Sequence, residues 1–212
     1  MDFEEFEKQV KKCTKCRLSE KRLNVVPGEG NHHAEIMFIG EGPGKNEDEQ
    51  GRPFVGAAGK FLTELIESID LTRDEVYIAN VVKCRPPNNR DPLPDEVETC
   101  WPWLKLQIEL IKPKIVVLLG RHSLARFLPS ARISADHGRA LRKNFEDLGK
   151  IVFFPCYHPA AALYNGGLRS TLQRDFKKIP KILKLIKKPG DAIPEAESPG
   201  LDDKDSQQQA LF

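Results

Sequence analysis

No apolar run in this chain approaches the ~18 residues that a membrane-spanning helix needs. The opening stretch, MDFEEFEKQVKKC, mixes acids and bases and lacks the apolar region of a secretory signal. A cytoplasmic protein is therefore expected. Cysteine is sparse and odd in number, five in 212 residues. Without a secretory signal, that count argues against a disulfide framework and towards ligation of a metal or cluster. A phosphate-binding loop is missing as well. The segment GEGPGK at 40–45 begins like one, but that loop needs G-x-x-x-x-G-K-[ST]. Ile39 stands where its first glycine should be, and Asn46 where its hydroxyl should be. Glu41, Glu47, Asp48 and Glu49 crowd the Gly44–Lys45 pair and would repel a phosphate.

What the chain does have is a charge asymmetry. Its formal charge is +2, yet residues 189–212 hold six acids against one lysine, so the preceding 188 residues carry +7. A basic body with an acidic tail suits a nucleic-acid partner, although many basic proteins have none. The tail is rich in Pro, Gly and acids and is expected to be disordered. One domain is expected over residues 1–188, acting as a monomer.

Four short apolar runs read as buried strands: 35–40 (EIMFIG), 76–81 (VYIANV), 114–119 (KIVVLL) and 151–156 (IVFFPC). None alternates cleanly, as suits strands covered on both faces. Helical spacing of apolar residues appears over 57–69, over 103–111 with Pro102 at its start, and over 168–186 with a break at Pro180. Strands alternating with helices predict an α/β fold: a central four-stranded parallel sheet with helices on both faces. Ligands bind such sheets beyond the carboxyl ends of the strands. Three of the four runs end there in unusual polar loops: 40–44 (GEGPG), 83–90 (KCRPPNNR) and 155–159 (PCYHP).

Cys13 and Cys16 form a CxxC, while Cys84 and Cys100 stand singly far downstream. Four thiolates can hold zinc or an iron–sulfur cluster. A zinc ribbon usually offers two close pairs, so one close pair leans towards a cluster. Ligation would tie the N-terminus to the loop carrying Arg85, Asn88, Asn89 and Arg90, a set suited to phosphate contacts. Cys156, within an apolar run, reads as a small core residue.

Taken together, GEGPG with the following ED and GRPFVG, the block YIANVVKCRPPNNRDP, the HPAA turn and the four cysteines resemble the family 4 uracil-DNA glycosylases. These are the thermostable type carrying a [4Fe–4S] cluster. The resemblance runs from about residue 13 to residue 178. It implies a DNA-repair enzyme that flips uracil out of DNA and hydrolyses its N-glycosidic bond, leaving an abasic site. No lysine is evidently placed for Schiff-base chemistry, so strand cleavage is not expected. A non-catalytic nucleic-acid-binding module with a zinc site, or a sibling glycosylase with broader base choice, are the alternatives.

By the resemblance, Cys13, Cys16, Cys84 and Cys100 hold the cluster. His158 donates to the uracil oxygen that gains charge as the bond breaks. Asn80, a polar side chain in an apolar strand, reads the O4 and N3–H edge. Phe54 stacks on the base, Gly42 lines the wall, and Glu47 fills the space beside C5 where thymine carries a methyl. The best-known uracil glycosylases place an aspartate in the first motif to handle water. This chain offers Glu41 and Asn89 instead, and the choice between them stays open. Leu163 and Tyr164 are candidate wedge residues, Tyr164 replacing an arginine frequent in the family. Arg169 opens a basic run, continuing through Arg174 to Lys188, that could follow phosphates. At the terminus, Gln208, Leu211 and Phe212 resemble a shortened peptide for binding a sliding clamp, without its usual second aromatic.

Overall fold

The protein is described by a computed structural model over residues 1–187, 190 and 193–196. Its elements follow the order α1 (Phe3–Lys11), β1 (Glu29–Gly30), β2 (Ile36–Gly40), α2 (Lys45–Gln50), α3 (Ala57–Glu67), β3 (Tyr77–Asn80), α4 (Pro94–Ile111), β4 (Ile115–Leu119), α5 (Arg121–Phe127), α6 (Ile133–Asp136), β5 (Leu141–Phe145), β6 (Gly149–Cys156), α7 (Pro159–Tyr164), α8 (Gly166–Phe176) and α9 (Ile179–Ile186). Among the described residues, six strands form one mixed sheet in the order β1-β3-β2-β4-β6-β5.

The expected four-stranded parallel sheet is its centre, not its whole. Strands β3, β2, β4 and β6 pair in parallel, and β1 and β5 add antiparallel edges. Both edges escape an apolar-run reading for a physical reason. Strand β1 spans two residues, and β5 (LRKNF) is half polar and only partly buried, as an edge strand should be.

The central strands bury both faces, and successive residues feed two separate cores. Met37, Ile39, Val116, Leu118 and Phe153 join α1, α4 and α5 on one side. Ile36, Phe38, Val117, Leu119 and Phe154 join α3, α8 and α9 on the other. Cys156 is fully buried in the second core, in keeping with a structural role. Helix α4 begins nine residues before the expected start at 103. Pro94 opens it, and the Glu96 carboxylate accepts from the Leu93 N–H at 2.8 Å. Pro102 therefore lies inside the helix.

Part of the expected disordered tail is packed. Ile193 is buried, and Arg142 of β5 donates its N–H to Pro194 O (2.8 Å) and accepts from Ala196 N–H (2.6 Å). The clamp-peptide residues Gln208, Leu211 and Phe212 lie outside the described residues. Among those described, no helix is long and apolar enough to cross a membrane.

Candidate active site

The C-terminal ends of β2, β3 and β6 meet at a cleft of about 310 Å³. Glu41, Gly42, Glu47, Phe54, Asn80, Asn89, Arg90 and His158 all line it, so the residues predicted to bind and react are brought together. Pro43, Gly44, Ala58, Pro86 and Ala160 complete the lining.

His158 caps α7. Its Nδ1 accepts the Ala160 N–H at 3.1 Å, so in the neutral ring the proton sits on Nε2. Burial pushes its pKa down from 6.5 to about 4, against a smaller opposing pull from Glu47. The ring is thus a neutral donor across the physiological range. Phe54 lies against it, the ring centroids 5.6 Å apart and the planes 27° from parallel. Phe54 has φ +52°, a left-handed backbone that costs a non-glycine residue about 1–2 kcal/mol.

Asn80 ends β3 and is 1 % exposed. Its Oδ1 is buried and has no hydrogen-bond partner among the described residues. Its main-chain carbonyl accepts from the fully buried Lys83 Nζ at 2.8 Å, and Lys83 also donates to Gln107 Oε1. Burial lowers the Lys83 pKa to about 8. Gly40 explains itself here: a Cβ on it would lie 2.5 Å from Asn80 Oδ1 and 2.6 Å from Phe54 Cζ. The glycine lets the strand end pass beneath both side chains.

Two of the acids that rule out a phosphate loop, Glu47 and Asp48, are acceptors for backbone. Glu47 Oε2 accepts from Gly44 N–H at 3.1 Å, and its Oε1 from Val55 and Gly56 N–H, each at 2.9 Å. Asp48, buried, accepts from Leu23 N–H at 2.9 Å and Asn24 N–H at 3.2 Å.

Glu41 has company that sequence reading missed. His122 Nε2 stands 3.6 Å from its carboxylate and 3.3 Å from that of Asp91, which also pairs with Arg121. Burial raises the Glu41 pKa above the ordinary glutamate range; His122 opposes that, and Asp91 adds to it. His122 sits in the first turn of α5, just past the end of β4, the one parallel strand whose exit segment, Gly120-Arg121-His122, attracted no notice in the sequence. The rim rule alone points to it. Asn89, with φ +53°, accepts from Arg85 Nε at 2.7 Å through its Oδ1.

The residues expected to meet DNA divide into two groups. Leu163 (44 % exposed) and Tyr164 (92 %) project from the end of α7, free of the core. Asn88 is exposed with φ +56°. Several cations, however, are already engaged: Arg90 with Glu96 at 2.6 and 2.8 Å, Arg169 with Glu64 and over the Phe61 ring, Lys178 with Asp175, and Lys187 with Glu35. An engaged cation must exchange its partner before it can serve a phosphate.

The four predicted ligand cysteines also converge. Cys13, Cys16, Cys84 and Cys100 line one enclosed cavity with Arg22, Lys83 and Trp103. Three N–H groups point at three of the sulfurs: Arg22 NH1 at Cys84 (3.1 Å), Trp103 Nε1 at Cys13 (3.2 Å) and Lys83 N at Cys100 (3.3 Å). None of the five cysteines forms a disulfide.

Comparison with known proteins gives one consistent result. The model of the Uracil DNA glycosylase superfamily matches residues 27–184. A type-4 uracil-DNA glycosylase of Sulfurisphaera tokodaii is 52 % identical over 186 residues, 85 % of this chain and 84 % of its own. One of Archaeoglobus fulgidus is 49 % identical, covering 82 % of this chain and 90 % of its own. One of Thermotoga maritima is 45 % identical, covering 83 % and 92 %.

The geometry predicts the protonation state of His158. In imidazole nitrogen NMR of the labelled protein, His158 should show a neutral ring with its proton on Nε2 from pH 8 down to 5.5, charging only as the pH falls towards about 4. A ring that titrates near 6.5 would contradict this assignment.

Proposed function

The chain belongs to the type-4 uracil-DNA glycosylases of the uracil DNA glycosylase superfamily, and from that premise we propose how its cleft excises the base. The protein removes uracil from DNA in repair by hydrolysing the N-glycosidic bond. The nucleotide leaves the stack and its base enters the cleft. Phe54 stacks on the ring. Asn80 Oδ1, a buried acceptor without a partner, takes the N3–H, and the same amide donates to O4. That orphaned acceptor is the observation that carries the reading, since a buried carbonyl oxygen left unpaired costs about 1–3 kcal/mol.

As the bond stretches, the base gains negative charge on O2, and the Nε2–H of neutral His158 donates to it. A neutral donor leaves the proton on the protein, so uracil departs as an anion. Water then adds at the sugar carbon through its oxygen, and the proton it sheds passes to the departing uracil anion. Glu41, half-buried with a raised pKa, is one candidate to orient it; Asn89, its amide fixed by Arg85, is the other. Leu163 and Tyr164 fill the gap in the stack. The product is an abasic site with the strand intact.

The donor set of the cysteine cavity fits an iron–sulfur cluster: Cys13, Cys16, Cys84 and Cys100, with N–H groups aimed at three of the sulfurs, would hold a [4Fe–4S] cluster. When bound it supplies structure, fastening α1 and the loop after β3, on which Arg85 and Asn89 follow directly from Cys84. The tail peptide with Gln208, Leu211 and Phe212 is proposed to engage a sliding clamp.

Four measurements test these proposals. An end-labelled oligonucleotide with one uracil should be cut only after hot alkali, and thymine controls not at all. His158→Ala should slow single-turnover excision about 10²- to 10³-fold, and Leu163→Ala should slow it on duplex more than on single-stranded DNA. Equal rates for His158→Ala and wild type would refute the leaving-group role, and an unchanged duplex rate for Leu163→Ala the wedge. Iron and acid-labile sulfide should each reach about four per chain, with absorption near roughly 400 nm; stoichiometric zinc without iron would overturn the cluster. Deleting residues 207–212 should abolish clamp pull-down and spare excision, and retained binding would remove the clamp proposal.

A further inference from the structure

The segment bearing Phe54 is gripped from two sides, and only one side belongs to the cleft. Towards the cleft, Glu47 accepts the N–H groups of Val55 and Gly56. Behind it, Arg73 donates to Pro53 O at 2.8 Å and to Phe54 O at 3.1 Å. The guanidinium is itself anchored. Glu29 Oε1 accepts from its NH2 at 2.6 Å and its Nε at 3.1 Å, and Thr63 Oγ1 from its NH1 at 3.3 Å. Burial works against the charge on Glu29, but Arg52 and Arg73 outweigh it and keep the carboxyl below the ordinary glutamate range. Beneath this turn Gly59 admits no side chain, because a Cβ would fall 1.9 Å from Phe54 O. Four consecutive residues, 53–56, therefore have backbone groups fixed by two charged side chains.

Arg73 is not among the residues that line the cleft. We propose that it is a positioning residue for uracil recognition: with Glu29 it locks the left-handed turn at Phe54, so that the ring stands parallel to His158 and ready to stack on the base. The inference rests on reading Phe54 as the base-stacking residue. Its consequence is specific to binding. Loosening the turn lets the ring swing out of the slot, which weakens the hold on the base in ground and transition state alike. The donor His158 is untouched, so KM rises and kcat stays.

The experiment compares Phe54→Ala, Arg73→Met, Arg73→Lys and Glu29→Gln on a single-stranded uracil oligonucleotide, reading KM, kcat and inhibition by free uracil. Arg73→Met should raise KM and weaken uracil inhibition about tenfold each, with kcat changed less than about threefold, as loss of uniform binding requires. Arg73→Lys, which cannot reproduce the fork, should recover only part of this. Arg73→Met should add nothing in a Phe54→Ala background, a result that a general loss of stability would not give. Should Arg73→Met fail to fold, Glu29→Gln, which leaves the guanidinium in place but weakly anchored, should show the same pattern in smaller measure. If Phe54→Ala weakens binding while Arg73→Met, or Glu29→Gln in its stead, matches wild type, the clamp is overturned and the site reading stands. If Phe54→Ala itself changes neither KM nor inhibition, the stacking role falls and the proposal with it.

Discussion

A parallel sheet buried on both faces leaves its strands one place to present polar chemistry, and the rest of this protein follows from that constraint. Along β2, β4 and β6 every second residue feeds one core and the alternate residues feed the other. A polar side chain within those strands would have no water and few partners. At the carboxyl ends the strands leave the two cores, and Asn80, Glu41, Gly42 and His158 can turn to a shared cleft. Asn80 shows how close the boundary lies. Its main chain still belongs to the buried sheet, held by Lys83, while its amide faces the site with an acceptor unpaired.

The site is held by charge, whereas the proposed reading of the base rests on neutral groups. Glu47, Asp48, Glu29 and Arg73 spend their charges on backbone N–H and carbonyl groups. Hydrogen bonds to charged groups are worth about 1.5–3 kcal/mol each. Two or three of them comfortably offset the ~1–2 kcal/mol of a left-handed Phe54. The groups proposed to stack on uracil or hydrogen-bond to it, by contrast, are an aromatic ring, an amide and an uncharged imidazole, while the Glu47 carboxylate would serve only as a wall. This division has a reason. A full positive charge at His158 would have to be buried, and its desolvation sets the pKa at about 4. A neutral donor that is already desolvated needs no reorganisation when charge appears on the leaving base.

How much of this was legible in the sequence depended on whether a residue announced itself locally. The four parallel strands are dense in Val, Ile and Phe and were readable, as were the motifs at the ends of three of them. Strand β1 has too few residues to carry a pattern, and β5 looks like a loop because an edge strand carries polar side chains. Helix α4 was shortened because Pro102 resembles a start, while the true start at Pro94 lies amid polar residues. The cleft was legible because rim residues are polar where strands are apolar. Arg73 and Glu29 were not, since both come from unremarkable surface-like stretches and acquire meaning only when β1 lies beside β3 and brings them to the Phe54 turn. Arg169 and Arg90 carry a second lesson. A basic residue near a motif reads as a phosphate contact, and the sequence does not reveal that an acid 105 or 6 residues away already holds it.

On the proposed reading of the cleft, selectivity would follow from rigidity rather than from the mere presence of the right atoms. The acceptor Asn80 Oδ1 asks for an N–H, which uracil offers at N3 and cytosine does not. Admitting cytosine would set two acceptors face to face in a buried slot and leave both unpaired, a cost of about 1–3 kcal/mol for each. Thymine pairs as well as uracil does, so hydrogen bonding cannot reject it, and a yielding pocket discriminates poorly over one methyl group. What can reject it is a wall that does not move. The Glu47 carboxylate accepts from three backbone N–H groups in two loops, and shifting it to admit a methyl would break those bonds together. The same contacts that fix the Phe54 turn on its cleft side thus fix the wall beside C5. One carboxylate couples how well the base stacks to how strictly its methyl is excluded, and a residue that loosened the first would relax the second.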